Sequence, residues 1–146
     1  MSETKRAELM REFVESFAAQ DIEKSVSLCT EDVVWETPMG IFKGKEEVKR
    51  YLKWNAERNK EVKIAEAGVG ILVQGDKASF EHQITGLIDG EKVSFLAMCT
   101  YEFSEDQIKT MRTVFDRLAL AEQASNKWLP KKLVNTIVSQ MHKGLD

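Results

Sequence analysis

The sequence predicts a single α+β domain, in which N-terminal helices cover one face of a strongly curled antiparallel β-sheet. Apolar residues in the first third recur at helical spacing. Four long strand-like segments then follow one another without an intervening helix. Turn pairs such as Gly75-Asp76 and Asp89-Gly90 separate the first three of these segments. Such pairs are typical of sequential hairpins, which form an antiparallel meander. A length of 146 residues fits one domain.

Three helices are predicted before the strand-rich part. Leu9, Phe13 and Phe17 recur every fourth residue and define the inner side of the first helix. Asp21 is placed to cap a short second helix with its side chain. Gly44 opens the third helix, and acidic residues follow in its first turn, where the helix dipole favours them.

A short strand over 32–36 is predicted between the second and third helices, and breakers such as Pro38 and Gly40 end it. The segments of the meander are predicted over 61–74, 77–88, 91–103 and 107–116. Strands of about 10 residues or more span over 30 Å. A sheet of that length must twist, and it can curl around the helices that cover it.

Alternation along the strands separates an inner face from an outer one. In the third long segment the more apolar set, which we expect to face the helices, is Val93, Phe95, Ala97, Cys99, Tyr101 and Phe103. The opposite set still holds Leu96 and Met98, and Val114 of the last strand joins them. A monomer seldom leaves such a patch in water, so we expect a homodimer formed through the sheet.

The chain turns helical again after Asp116, whose carboxylate we expect to cap that helix rather than to catalyse at a pocket rim. We place the end of the domain at residue 123 and assign residues 124–146 to a C-terminal helical extension. Pro130 suits the first turn of its helix. The apolar stripe of that helix is Leu133, Val134, Ile137, Val138 and Met141. This pattern favours docking on its own domain or on a dimer partner. The alternative is a helix that binds a membrane surface or another protein.

Composition excludes several classes of protein. A net charge of −3, from 21 basic and 24 acidic residues, gives no electrostatic case for nucleic acid binding. No apolar run is long enough to cross a bilayer, and the polar N-terminus is unlike a signal peptide. Cys29 and Cys99 lack metal or redox spacing, so we expect reduced thiols in a cytoplasmic protein. No metal-binding or nucleotide-binding motif is present, and we expect no cofactor.

The order of these elements resembles that of the nuclear transport factor 2-like superfamily, and in particular its SnoaL-like branch of polyketide cyclase and ketosteroid isomerase-like proteins. The resemblance is carried by Asp32-Val-Val-Trp35, by Pro38-Met-Gly-Ile-Phe-Lys-Gly44 before the third helix, and by the closing Val114-Phe-Asp-Arg-Leu118. It covers about residues 5–123. It implies a cone-shaped fold, but it identifies function poorly, because this fold supports many activities.

The resemblance also implies an apolar cavity between the curled sheet and the helices. Strand alternation supplies most of the lining, and the helices supply the rest. The expected ligand-binding residues are Phe17, Trp35, Tyr51, Phe80, Ile84, Phe95, Cys99, Met111, Thr113 and Phe115. Phe13, Leu52 and Ala97 are expected beside them.

Three residues are the candidates for chemistry. His82 lies on the predicted inner face among apolar neighbours, and an imidazole can take or give a proton near neutral pH. SnoaL-like cyclases and ketosteroid isomerase transfer protons next to a carbonyl group, which implies a hydrogen-bond donor for the enolate oxygen, and Tyr101 is the candidate. Glu36 is a candidate auxiliary carboxylate, whose pKa should rise if it points inward. Trp35 and Glu36 alternate, so only one of them can do so.

The epoxide hydrolases of this fold use two aspartates bridged by an arginine. At the matching positions this chain has Phe80 for the arginine, and His82 and Thr113 for the aspartates. That mechanism is therefore not expected here.

The resulting hypothesis is a small-molecule cyclase, isomerase or dehydratase. It would act on an apolar, carbonyl-bearing substrate by cofactor-free acid–base proton transfer. Two alternatives stay open at this point: a non-catalytic module that binds a hydrophobic ligand, and a scaffold that binds other proteins.

Overall fold

Five helices and six strands make up the protein in a computed structural model, which describes residues 1–144. The helices are α1 (Glu3–Ala18), α2 (Ile22–Ser27), α3 (Gly44–Arg58), α4 (Arg117–Ala124) and α5 (Trp128–His142). The strands are β1 (Cys29–Thr37), β2 (Gly40–Lys43), β3 (Asn59–Gln74), β4 (Lys77–Ile88), β5 (Glu91–Ser104) and β6 (Gln107–Phe115). The α+β class is confirmed. The predicted meander segments match β3 to β6 closely.

All six strands form one sheet in the order β2-β1-β6-β5-β4-β3. The meander from β3 to β6 is antiparallel, as predicted, but β1 pairs with β6 in parallel. The prediction of a purely antiparallel sheet is therefore wrong for this one pair of strands. The short strand β2 was not predicted. Pro38 and Gly40 do not end the strand region. Pro38 and Met39 form the turn by which the chain reverses from Thr37 to Gly40 into the β1–β2 hairpin.

A bulge in β3 helps the long strand to bend. The β3–β4 register shifts between Glu66 and Ile71, and Gly68 within that stretch has φ +52°. The Val69 N–H donates to the Glu81 carboxylate at 3.1 Å. A Cβ at Gly68 would displace that carboxylate, and the positive φ of the residue is the stronger reason for glycine at this position.

The core lies between α1, α2 and α3 on one side and the inner face of the sheet on the other. Trp35 is central to it. Its ring makes edge contacts with Phe13 at 5.6 Å, Phe17 at 6.1 Å and Tyr51 at 5.1 Å between centroids. Aromatic rings favour this edge-to-face arrangement. Phe13 and Phe17 lie one turn apart on α1, so both side chains project from the same face of the helix toward Trp35.

The outer face of the sheet carries an exposed apolar patch, formed by Leu96, Met98 and Val114. These side chains are 48%, 46% and 52% exposed. Met98 pairs directly with Val114 across β5 and β6, and Leu96 lies two residues from Met98 on the same face. The predicted division of β5 into inner and outer sets is confirmed by its alternating burial.

The two C-terminal helices differ in how they are held. Asp116 caps α4, because its carboxylate accepts the N–H groups of Leu118 at 2.8 Å and Ala119 at 3.0 Å. The predicted cap is confirmed. No residue of α5 is buried, and Leu133, Ile137 and Met141 are all more than half exposed. Docking of this helix on its own domain is therefore wrong within the described chain, and docking on a dimer partner stays a prediction.

Among residues 1–144, none of the helices is both long and apolar enough to span a bilayer.

Candidate functional site

A cavity of about 340 Å³ lies between the inner face of the sheet and helices α1, α3 and α4. Its volume falls at the lower end of the range for small-molecule sites. Most of the expected lining residues do line it: Phe13, Phe17, Trp35, Tyr51, His82, Ile84, Phe95, Cys99, Tyr101, Thr113 and Phe115. Strand alternation therefore chose the correct face of the sheet.

Two of the expected ligand contacts lie elsewhere. Phe80 and Met111 are 3% and 1% exposed and belong to the packed core, as does Leu52 from α3. Ala97 is also buried outside the lining. Alternation selects a face of the sheet but not a position along the strand. Phe80 and Met111 lie where the sheet packs against other core side chains.

The inward position on β1 belongs to Trp35, and Glu36 points to the outer face. The Glu36 carboxylate accepts a hydrogen bond from Arg112 Nε at 2.6 Å, on the outer face of β6. This hydrogen bond lowers the pKa of Glu36, so the rise expected for an inward-pointing Glu36 does not occur. Glu36 does not line the cavity and does not hold His82. An auxiliary catalytic role for Glu36 has no geometric support.

His82 is 3% exposed and lines the cavity from β4. Its ring stacks on Phe80 with centroids 4.4 Å apart, and its Nδ1 lies 3.2 Å from the Phe80 carbonyl oxygen. A carbonyl oxygen only accepts, so this contact assigns the ring proton to Nδ1 and leaves the Nε2 lone pair available. Burial lowers the pKa of His82, while the Phe80 carbonyl partly offsets this effect. The imidazole is therefore neutral at pH 7 and able to accept a proton.

The closed end of the cavity is polar. Trp35 Nε1–H donates to Thr113 Oγ1 at 2.9 Å, and the Cys99 thiol lies 3.2 Å from the same oxygen. Tyr101, two residues from Cys99 on β5, completes this group. Burial raises the pKa of the Cys99 thiol to about 11 and the pKa of Tyr101 well above its usual value. All four side chains are therefore neutral at pH 7, and the cysteine is a poor nucleophile.

His82 and Tyr101 line the same cavity but are not neighbours. His82 pairs with Ala97, and Tyr101 lies four residues further along β5, which is about 14 Å along the strand. Cys99 is diagonal to His82, and diagonal neighbours lie about 7–8 Å apart. The cavity therefore presents a base at one point and a set of hydrogen-bond donors several ångströms away. A ligand has to span both to use both.

The sequence reasoning missed the polar residues that helices contribute to the cavity. Asn55 and Arg58 of α3 line it, and Arg117 of α4 does so from another side. Extending the inner face of α3 by the helical period from Tyr51 through Asn55 would have reached Arg58. Over residues 1–144, no three histidine, cysteine or acidic side chains come together in the manner of a metal site.

The SnoaL-like domain family matches residues 10–111, which is most of the chain. The protein therefore belongs to this family, as the sequence resemblance predicted. No curated protein matches the chain in the sequence comparison.

Several solved structures share the fold at low sequence identity. A putative SnoaL-like polyketide cyclase from Jannaschia sp. CCS1 has a TM-score of 0.75 and 20% identity, over 86% of this chain and 94% of that one. An NTF2-like protein of unknown function from Burkholderia pseudomallei K96243 has a TM-score of 0.75 and 17% identity, over 86% and 99%. An M. tuberculosis LEH-like epoxide hydrolase has a TM-score of 0.72 and 17% identity, over 94% and 98%.

These likenesses establish the nuclear transport factor 2-like fold and nothing finer, since one fold carries many functions. The neighbours named above include a putative cyclase and an epoxide hydrolase, so the function must be argued from the side chains in the cavity. None of the aspartates and glutamates of residues 1–144 lines that cavity.

Proposed function

We propose that this protein is a cofactor-free enzyme of the cyclase, isomerase or dehydratase kind, which moves a proton on an apolar, carbonyl-bearing substrate. One observation carries the proposal. Among the described residues that line the cavity, His82 is the only side chain able to accept a proton at neutral pH. The cysteine and tyrosines there remain protonated. Acid–base chemistry in this cavity therefore depends on one imidazole.

The proposed step is a proton transfer from carbon. His82 Nε2 takes a proton from a carbon activated by the substrate carbonyl, and the electron pair of that C–H bond moves onto the carbonyl oxygen as an enolate. Tyr101 and Thr113 at the polar end donate hydrogen bonds to that oxygen. The imidazolium then returns the proton to the same or another carbon. Because base and donors lie apart, the acidic C–H and the oxygen are best joined by conjugated bonds.

The test is the exchange of γ-protons for deuterium in 4,4a,5,6,7,8-hexahydro-2(3H)-naphthalenone, a two-ring enone whose acidic C–H is joined to the carbonyl by a conjugated double bond, followed by NMR in D2O. Binding of the ketone is measured separately through the indole N–H signal of Trp35. We expect the wild-type protein to bind the ketone and to accelerate exchange. His82→Gln should reduce this acceleration by about 100-fold or more, which is the usual contribution of a general base. Tyr101→Phe should reduce it while leaving binding of the ketone intact.

Glu36→Gln is the matched control, because Glu36 lies on the opposite face of β1. We expect this variant to exchange the ketone at the wild-type rate. The wild-type rate should also fall as the pH drops below 6.5 and His82 becomes protonated. Binding of the ketone without any exchange above the buffer rate would reject catalysis.

Non-catalytic binding of a hydrophobic ligand is the second candidate. The separation of His82 from Tyr101 by about 14 Å of strand favours it, because a ketone whose acidic C–H lies directly beside the carbonyl cannot contact both at once. In that case His82→Ala would weaken ligand binding by about 1–3 kcal/mol, the effect of one lost buried hydrogen bond, with no turnover to lose.

The quaternary structure and location are part of the same proposal. The apolar patch of Leu96, Met98 and Val114 supports a homodimer formed through the outer face of the sheet. Cys29 and Cys99 are both buried free thiols, which is compatible with the reducing cytoplasm.

A further inference from the structure

The exposed residues of the cavity lining mark its mouth. Four lining residues are exposed, and the rest are buried or half-buried. They are Met39 in the β1–β2 turn, Trp54 and Arg58 on α3, and Arg117 at the start of α4. A ligand therefore enters the cavity past two arginines, and the outer end of a bound ligand lies near them.

The charge at this mouth is not a consequence of composition. Acidic residues outnumber basic ones by 24 to 21 in the whole chain. Within the described residues, however, the only lining side chains that carry a formal charge at pH 7 are Arg58 and Arg117. The cavity therefore has a cationic mouth and a neutral polar end around Thr113 and Tyr101.

The two arginines are held differently. The Arg58 guanidinium pairs with the Asp89 carboxylate at 2.6 Å and lies 5.1 Å from the centre of the Trp54 ring. Arg117 has no carboxylate within ion-pair distance among residues 1–144. The nearby Asp116 side chain already accepts backbone N–H groups of α4. The pair of arginines with Asp89 therefore leaves about one uncompensated positive charge at the mouth.

One uncompensated guanidinium favours a monoanion. Arg presents parallel N–H donors that match both oxygens of a carboxylate. A dianionic phosphate would bring more charge than the mouth can neutralise. We propose that the cavity binds apolar carboxylic acids as carboxylates, with Arg117 contacting the carboxylate at the mouth and the apolar body filling the space toward Thr113. This inference rests on the proposed use of the cavity as a ligand site, and it specifies the substrate class as an apolar keto acid.

The test compares two ligands of one shape, 2-naphthoate and its neutral amide, 2-naphthamide. Dissociation constants are measured by calorimetry at pH 7.5 and low salt. We expect the wild-type protein to bind naphthoate at least tenfold more tightly than naphthamide. Arg117→Gln should remove this preference, and Arg117→Lys should keep part of it. Arg112→Gln is the control, because Arg112 is an exposed arginine on the outer face of the sheet. It should leave the preference unchanged.

Equal affinity of the wild-type protein for the two ligands, no binding of naphthoate, or a preference that survives Arg117→Gln would overturn the inference. The readout is separate from catalysis. A wild-type protein that shows no carboxylate preference but does catalyse His82-dependent exchange of the enone would reject this inference alone. A clear preference without any exchange would reject only the proposed enzyme activity.

Discussion

Each face of the sheet carries a few residues that are unusual for its surroundings. On the inner face, His82 and Tyr101 are buried and Thr113 is half-buried. On the outer face, Leu96, Met98 and Val114 are about half exposed. The same strands, β4 to β6, supply both faces, so the difference is due to the position of each residue in the alternation and not to local composition.

This contrast is informative because the desolvation of polar groups and the exposure of apolar ones both oppose folding of an isolated monomer unless something compensates them. A buried polar group is tolerated only when it is hydrogen-bonded, and an apolar patch in water is unfavourable. The inner polar groups make sense if a ligand uses them, and the outer apolar patch makes sense if a second chain covers it. The following predictions test each half of the comparison.

The largest effect is expected on the outer face. If a second chain covers Met98, Met98→Glu places an unpaired carboxylate in an apolar interface and should weaken association by about a hundredfold or more. Light scattering should then show a dimer for the wild-type protein and a monomer for the variant. Lys53→Glu, at an exposed position on α3, is the control and should remain dimeric. A wild-type monomer at high micromolar concentration would show that the patch is not an interface.

A smaller effect is expected inside. Thr113→Val keeps the shape of the side chain but leaves Trp35 Nε1–H without its acceptor. This change should lower the free energy of unfolding by about 1–3 kcal/mol, measured in urea. Thr100→Val on the outer face of β5 should change it by no more than about 0.5 kcal/mol, because that side chain is exposed. Equal losses for the two variants would contradict the assignment of the faces.

The smallest effect is a dependence of stability on pH. Burial lowers the pKa of His82 below 6.5 in the folded state, so the unfolded chain binds a proton more readily. Protonation below pH 6.5 therefore stabilises the unfolded state relative to the folded one, and the free energy of unfolding should fall with decreasing pH. One histidine accounts for a slope of at most about 1.4 kcal/mol per pH unit. In His82→Gln, the urea concentration at the unfolding midpoint should change less between pH 7.5 and 5.5 than it does in the wild-type protein.

This pH window isolates the histidine. Glu36 has its pKa lowered from 4.5 by Arg112, so its contribution is lost only at more acidic pH. An unchanged slope in His82→Gln would show that His82 is not the residue responsible.

Local patterns predicted the strands better than the site. Alternation placed Cys99, Thr113 and Phe115 in the cavity lining, because side chains alternate strictly along a strand. The same rule also selected Phe80 and Met111, which are core residues. Alternation carries no information about how far along a strand the helices close the space. Similarly, the sequence could not decide between Trp35 and Glu36 until the pairing of β1 with β6 set their direction.

The C-terminal helix α5 also shows that a local sequence pattern does not determine tertiary contacts. The helical period of α5 and its apolar stripe are visible in the sequence, but what the stripe contacts depends on the rest of the molecule. Leu133, Ile137 and Met141 are exposed although their spacing is that of a packed helix.

The sequence by itself determined the order of the helices and of every strand except β2, the meander, the inner and outer faces, and the family. These follow from local periodicity, turn residues and a motif order that do not depend on distant contacts. Only the tertiary structure decided that β1 runs parallel to β6, that Glu36 pairs with Arg112, and that Arg58 and Arg117 line the same cavity. Each of these depends on segments that lie more than 50 residues apart, whose relative positions are set by the packing of the whole core.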